Sequence, residues 1–214
     1  MYHTSVLFRE SIDQLNIRPG GTYVDATFGG GGHSGGILQM LDGKGHLFGF
    51  DQDEDAARNS ANEPFASSPN FTFVRSNFRH LKRSLRVEGV KPGSVDGILA
   101  DLGVSSYQLD TPERGFSYRF DAPLDMRMDA SDDRTAADVL NSLNTTELHR
   151  VFGELGEVRN ARTLAQAVVA ARLRKPIQTT GELVAICEAN LIGDRARYLS
   201  QVFQALRMEV NDEV

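Results

Sequence analysis

Apolar residues along the first hundred positions fall into short runs separated by polar, helix-compatible stretches. Residues 22–28 (TYVDATF), 46–51 (HLFGFD), 71–75 (FTFVR) and 95–102 (VDGILADL) are β-rich and bounded by turn formers, which predicts four strands. Residues 34–41, 53–62 and 78–87 lie between or after them and predict helices. Strands alternating with helices predict βαβ units and a parallel sheet, an α/β fold whose ligand edge is formed by the carboxyl ends of the strands. After Gly103 the pattern changes. Residues 105–134 are polar, rich in aspartate and without clear periodicity, and predict a long loop. From Thr135 onward the chain predicts helices. Asn144-Thr145-Thr146-Glu147 and Thr179-Thr180-Gly181-Glu182 each place a capping residue three positions before a glutamate. Residues 160–174 set Leu164, Ala167, Val168 and Ala171 on one helical stripe. The expected organisation is a core over residues 1–104, a helical insertion over 105–200, and over 201–214 the start of a helix returning to the core.

Composition narrows the class. Hydrophobic residues make up 40% and charged residues 24%, a globular balance rather than a disordered or fibrous one. No apolar run reaches the ~18 residues of a membrane span. The opening Met1-Tyr2-His3-Thr4-Ser5 lacks the basic start and apolar core of a secretory leader. One cysteine, Cys187, excludes an intrachain disulfide and a multi-cysteine zinc site; no metal is expected, and a reducing, cytoplasmic setting is. The net charge of −6 argues against coating nucleic acid by bulk charge. Two segments run against it. Residues 75–91 carry Arg75, Arg79, Lys82, Arg83, Arg86 and Lys91 against Glu88, locally +5. Residues 150–175 carry Arg150, Arg159, Arg162, Arg172, Arg174 and Lys175 against Glu154 and Glu157, locally +4. Each is either a solvated helix face or a grip on a phosphate backbone. For the second role the insertion segment, ending in Arg172, Arg174 and Lys175, is the stronger expectation.

The densest chemical signal is Asp25-Ala26-Thr27-Phe28-Gly29-Gly30-Gly31-Gly32-His33-Ser34-Gly35-Gly36. Six glycines in eight residues after a strand leave bare backbone against which a ligand can lie. The helix that follows offers unpaired N–H groups and the positive end of its dipole. Gly30, Gly32 and Gly35 satisfy a dinucleotide pattern, which alone is weak. Asp51 ends the second strand, 21 residues after Gly30, where it can accept from both ribose hydroxyls. Asp25 precedes the glycines by four residues; it would repel a pyrophosphate and attract an ammonium. The two carboxylates favour S-adenosylmethionine over a nicotinamide dinucleotide, with a purely structural glycine turn as the third alternative. Asp101, in Asp101-Leu102-Gly103-Val104-Ser105-Ser106, ends the fourth strand, where catalytic groups sit in such sheets; the competing role is a turn or cap aspartate.

Taken together, these segments resemble one family. Asp25–Ser34, by position 25–34, resembles the cofactor motif of the 16S rRNA cytosine-N4 methyltransferases, the RsmH (MraW) family. Residues 101–106 with Gln108-Leu109-Asp110, Glu113-Arg114-Gly115-Phe116-Ser117 and Pro123-Leu124-Asp125-Met126-Arg127-Met128-Asp129 resemble its long signature. Phe203-Gln204-Ala205-Leu206-Arg207 with Val210-Asn211 resembles a third segment, and His3-Thr4-Ser5-Val6-Leu7 fits the opening. The resemblance implies a class I (Rossmann-like) methyltransferase sheet with an inserted helical domain for substrate recognition. It implies methylation of the exocyclic N4 of a cytosine in the decoding centre of 16S rRNA within the small ribosomal subunit. It implies cofactor contacts at Gly31, Gly32, His33, Asp51, Phe78, Asp101 and Gln108, with Phe78 over the adenine. Family members extend beyond the last residue here, so a C-terminally truncated chain is expected, with the last strands of the sheet missing and an exposed fourth strand able to pair with a second copy as a homodimer.

The amine of cytosine is a poor nucleophile because its lone pair is delocalised, so a hydrogen-bond acceptor that also takes its proton is needed. Asp101 is the candidate. Tyr107, Phe116, Tyr118 and Phe120 are candidates to stack on the base, or else belong to the core of the insertion. The alternative functions are a noncatalytic RNA-binding or ribosome-assembly factor and a nicotinamide-dependent oxidoreductase.

Overall fold

Four parallel strands form from the four apolar runs in the computed structural model, which describes residues 6–213; the His3–Ser5 part of the opening motif (residues 3–5) lies outside them. Helix α1 (Phe8–Gln14) precedes β1 (Thr22–Asp25), α2 (Gly32–Leu41), β2 (His46–Asp51), α3 (Glu54–Ser60), β3 (Phe71–Arg75), α4 (Leu81–Val87) and β4 (Gly97–Leu99). The sheet order is β3-β2-β1-β4, with Thr22 paired to His46, Leu47 to Phe71 and Tyr23 to Gly97. Strand alternation sorts the side chains. Tyr23 and Leu47 pack with Ile37 and Leu41 of α2 on one face. Val24, Phe48 and Phe50 pack with Leu85 of α4 on the other.

The differences from the sequence expectation have local causes. β1 stops at Asp25 because the Asp25 carboxylate captures the Thr27 N–H at 3.1 Å. β4 covers residues 97–99 rather than 95–102: Ala26 N–H reaches Leu99 O at 2.8 Å, and the next donor, Asp101 N–H, goes instead to the Thr27 hydroxyl at 2.7 Å. The helix expected over 78–87 opens as a 3₁₀ turn, Phe78–His80, capped by the Asn77 side chain.

The described residues from Val104 onward form a second unit, separate from those up to Gly103. The stretch expected as a loop contains α5 (Ser106–Asp110) and a 3₁₀ turn, Pro112–Arg114. Then come α6 (Ala136–Ser142), α7 (Thr145–Arg150) running into a π turn (Val151–Leu155), α8 (Ala161–Arg172), α9 (Thr180–Ala189) and α10 (Arg195–Val210). Asn144 and Thr179 close the predicted capping boxes with Glu147 and Glu182. Leu164 and Val168 of α8, Cys187 of α9 and Leu199, Val202 and Phe203 of α10 share one core. Burial pushes the Cys187 thiol up to about 12.

The long signature folds as a strapped loop in this unit. Gly115 takes φ +70°, and a Cβ there would lie 2.3 Å from Pro123 O. Arg127 holds both oxygens of Asp125, at 2.9 and 2.8 Å, and keeps that carboxyl below its usual range against the opposing effect of partial burial. Asn211, buried beyond α10, accepts from Met128 N–H at 2.6 Å and donates to Met126 O at 2.8 Å. Asn211→Ala leaves those groups unpaired and should cost about 1–3 kcal/mol. Urea unfolding checks this, and an unchanged midpoint would remove the clasp role.

Candidate functional site

The sheet order places β2 and β3 on one side of β1 and β4 on the other. The chain therefore reverses direction across the sheet between β1 and β4, the place where open α/β sheets bind ligands at strand carboxyl ends. The loops after β1 and β4 both lie at this switch point, joined by the bond from Asp101 N–H to the Thr27 hydroxyl.

The glycine loop runs from β1 into α2. Gly31 is the N-cap of α2 at φ +78°, a conformation that glycine adopts without strain. Beneath it the rings of Phe28 and Phe65 meet edge to face at 4.9 Å, with Phe71 5.0 Å from Phe65. Gly30 and Gly32 are exposed. The upper surface of the loop is thus bare backbone and its lower surface rests on aromatic rings. Asn59 ties the loop to α3 through a 3.1 Å bond to Gly29 O.

Asp51 lies at the end of β2 and braces the loop. Its Oδ2 accepts from Gly29 N–H at 2.8 Å and its Oδ1 from Asp53 N–H at 2.9 Å. Burial raises its pKa, against the effect of these bonds. The Gln52 backbone N–H also acts on this side chain; a carboxylate has about four acceptor positions, so capacity for a further donor remains, and the residue is only partly buried. Phe78, past the end of β3, is 43% exposed. Nearby Asn77 donates to Gln52 Oε1 at 2.9 Å, a polar pair between the β2 and β3 ends that no spacing in the chain signals. Asp101 is exposed beside Thr27.

Three predicted residues behave differently from their expected roles. Asp25 is 0% exposed. Ser34 Oγ donates to its Oδ2 at 2.7 Å and Thr27 N–H to its Oδ1, while burial drives its pKa upward. It pins the ends of the glycine loop from inside and presents no oxygen to a ligand. His33 is 6% exposed; its Nε2 lies 3.2 Å from Val6 O and its ring stacks on Phe8 at 5.9 Å. What His33 offers outward is its backbone N–H in the first turn of α2. Gln108 belongs to the second unit, where its side chain closes the α5 capping box with Ser105. Of the stacking candidates, Phe116 is core and Tyr118 packs edge-on against Phe203 at 5.5 Å; Tyr107 and Phe120 are exposed.

In the insertion segment two of the three terminal cations have partners within the unit. Arg172 donates to Leu140 O and Leu143 O, both at 2.6 Å, and Lys175 pairs with Glu182. Arg174, the third, is exposed and has no such partner among the described residues. Among the described residues no helix is long and apolar enough to cross a membrane, and no cluster of metal-ligating side chains occurs.

A profile of the MraW methylase family matches residues 1–214. A protein of Cytophaga hutchinsonii named ribosomal RNA small subunit methyltransferase H is 54% identical over the whole chain, which covers 70% of that relative. Proteins of the same name from Bacteroides fragilis and Flavobacterium johnsoniae are 52% and 50% identical, again over the whole chain and 68% of each relative.

Proposed function

This chain belongs to the MraW methylase family, and from that premise we propose that it transfers a methyl group from S-adenosylmethionine to the exocyclic N4 of a cytosine in the decoding centre of 16S rRNA, acting in the cytoplasm on the small ribosomal subunit. The observation that carries the reading is the meeting, at the β1/β4 switch point, of a bare glycine loop, the partly free carboxylate of Asp51 and the exposed carboxylate of Asp101. The residues fit the cofactor. The acceptor capacity left on Asp51 suits a ribose hydroxyl, Phe78 offers an apolar face for adenine, and Gly32 and His33 offer backbone above the turn that Gly31 forms with its own N–H on Phe28 O and its carbonyl on Gly35 N–H. S-adenosylmethionine would supply a methyl group on a positively charged sulfur, activated before it reaches the protein. Residues 1–103 then serve as the cofactor unit, and the helical unit from Val104 serves substrate recognition.

Asp101 accepts a hydrogen bond from the cytosine amine, localises its lone pair, and takes the proton as the new N–C bond forms. Thr27 holds the Asp101 backbone in place. The remaining work is alignment of amine and methyl donor.

Calorimetric titration tests the cofactor assignment. S-adenosylmethionine should bind and NAD should not. Asp51→Ala should weaken cofactor binding by about 1.5–3 kcal/mol, the range for a charge-assisted hydrogen bond. Binding of NAD in preference would place the chain among oxidoreductases, and an unchanged Asp51→Ala affinity would reduce Asp51 to a brace for the loop.

A further inference from the structure

We propose that the exposed face of α4, carrying Lys82, Arg83 and Arg86, is a docking surface for the phosphate backbone of the RNA substrate. The inference rests on the reading of the protein as an RNA methyltransferase and assigns to it a surface that the cofactor site does not use.

Cations elsewhere in the molecule are mostly held by acids or carbonyls. Arg127 is bound to Asp125, Arg195 to Glu188, and Arg134 and Arg150 share Glu209. On α4 the side chains of Lys82, Arg83 and Arg86 are exposed and have no ion-pair or hydrogen-bond partner among the described residues. They lie at three- and four-residue spacing and so share one face. The opposite face is fixed to the sheet through Leu85, with Leu81 packed beside it, so the charged face cannot turn inward. Glu88 is the single acid in the stretch from Arg79 to Lys91. Three uncompensated charges on one short helix of a chain with net charge −6 make a local positive field that suits a polyanion.

The dimensions match a nucleic-acid backbone. From Lys82 to Arg86 is four residues, or ~6 Å of helix rise, so the flexible side chains of the three cations can reach neighbouring phosphates of one strand. Arg83 and Ser84 line a shallow depression with Val74, Val87 and Glu88, in which the Ser76 hydroxyl is already given to Asn77 O and His80 Nε2 accepts from Arg79; the cations therefore act from its rim. The helix follows Phe78 directly in the chain, so RNA held here lies next to the ligand edge of the same unit. Recognition of this kind is independent of base sequence; it positions the RNA and leaves base choice to the site.

The test is filter binding of labelled 16S rRNA transcript across a potassium chloride series. The triple variant Lys82→Gln, Arg83→Gln, Arg86→Gln should lower the slope of log affinity against log salt by about two units, at ~0.7–0.9 per phosphate contact, with S-adenosylmethionine affinity unchanged. A charge-matched control on exposed cations of α1 and before the amino ends of β1 and β2, Arg9→Gln, Arg18→Gln, Lys44→Gln, should change the slope by less than about one unit. Arg83→Gln alone should lower it by roughly 0.8, which keeps the test decisive if the triple variant fails to fold. A parental slope in the α4 variants, or an equal fall in the control, would overturn the proposal. A parent with no salt-dependent affinity for this RNA would instead overturn the rRNA reading itself, and the surface with it.

Discussion

Asp101→Asn should slow methyl transfer by about 10²–10⁴-fold, the range for losing a positioned proton acceptor, while leaving S-adenosylmethionine affinity within about twofold, because amide and carboxylate have the same shape. The prediction follows from placement. Asp101 is exposed at the sheet's carboxyl edge, and only its backbone N–H is tied down, to Thr27. An asparagine can still accept a hydrogen bond from the cytosine amine through its carbonyl oxygen, so substrate affinity should change little. What it cannot do is take the proton. Single-turnover transfer separates the two effects, since it reads the chemical step without product release. An unchanged rate would make Asp101 a turn residue. A rate and cofactor affinity that fall together would make it a binding group only.

Gly31→Ala should destabilise the protein by about 2–5 kcal/mol and abolish cofactor binding with it. The αL conformation at φ +78° costs a non-glycine residue roughly 1–2 kcal/mol. The new methyl group would also lie 2.5 Å from the Phe65 ring, and such overpacking adds about 1–3 kcal/mol. Phe65 cannot swing away freely, because Phe28 and Phe71 hold it at 4.9 and 5.0 Å. Gly29 provides the comparison. It also has positive φ, +51°, but its Cβ would meet nothing closer than Thr27 O at 3.9 Å. Gly29→Ala should therefore cost only the conformational ~1–2 kcal/mol. Denaturant unfolding of the two variants side by side measures the difference, and equal costs would show that the aromatic support beneath Gly31 yields easily.

The strand pattern and the glycine loop were legible because their signals are local: an alternation of apolar runs, and six glycines after a strand. The position of Asp51 was legible because it ends β2, whereas Asp101 falls two residues past β4 instead of ending it. The sequence could not show how far apart in the chain a side chain finds its partner. His33 is turned to Val6 and Phe8, more than two dozen residues upstream, so a loop histidine that reads as a ligand has its ring engaged by the fold. Arg172 ends its helix as a solvated cation would, yet its carbonyl partners belong to α6 and the residue after it. Asp25 kept its position in the motif and lost its role at the surface because Ser34 closes over it. The α5 helix was missed although its signal was present. Ser105 and Gln108 stand three residues apart as a capping box, but five residues are too few to show periodicity. The long signature reads as a functional motif, and in the structure much of it serves to strap a loop, through Gly115, the Asp125–Arg127 pair and Asn211.

We propose methylation of a cytosine amine in small-subunit rRNA as the activity of this chain. The most direct measurement is incubation with methyl-tritiated S-adenosylmethionine and unmethylated small ribosomal subunits, followed by digestion of the RNA to nucleosides and chromatography of the label. Radioactivity should co-elute with N4-methylcytidine and fall by at least about 10²-fold with Asp101→Asn. Label in any other nucleoside, or RNA that stays unlabelled while the cofactor binds, would contradict it.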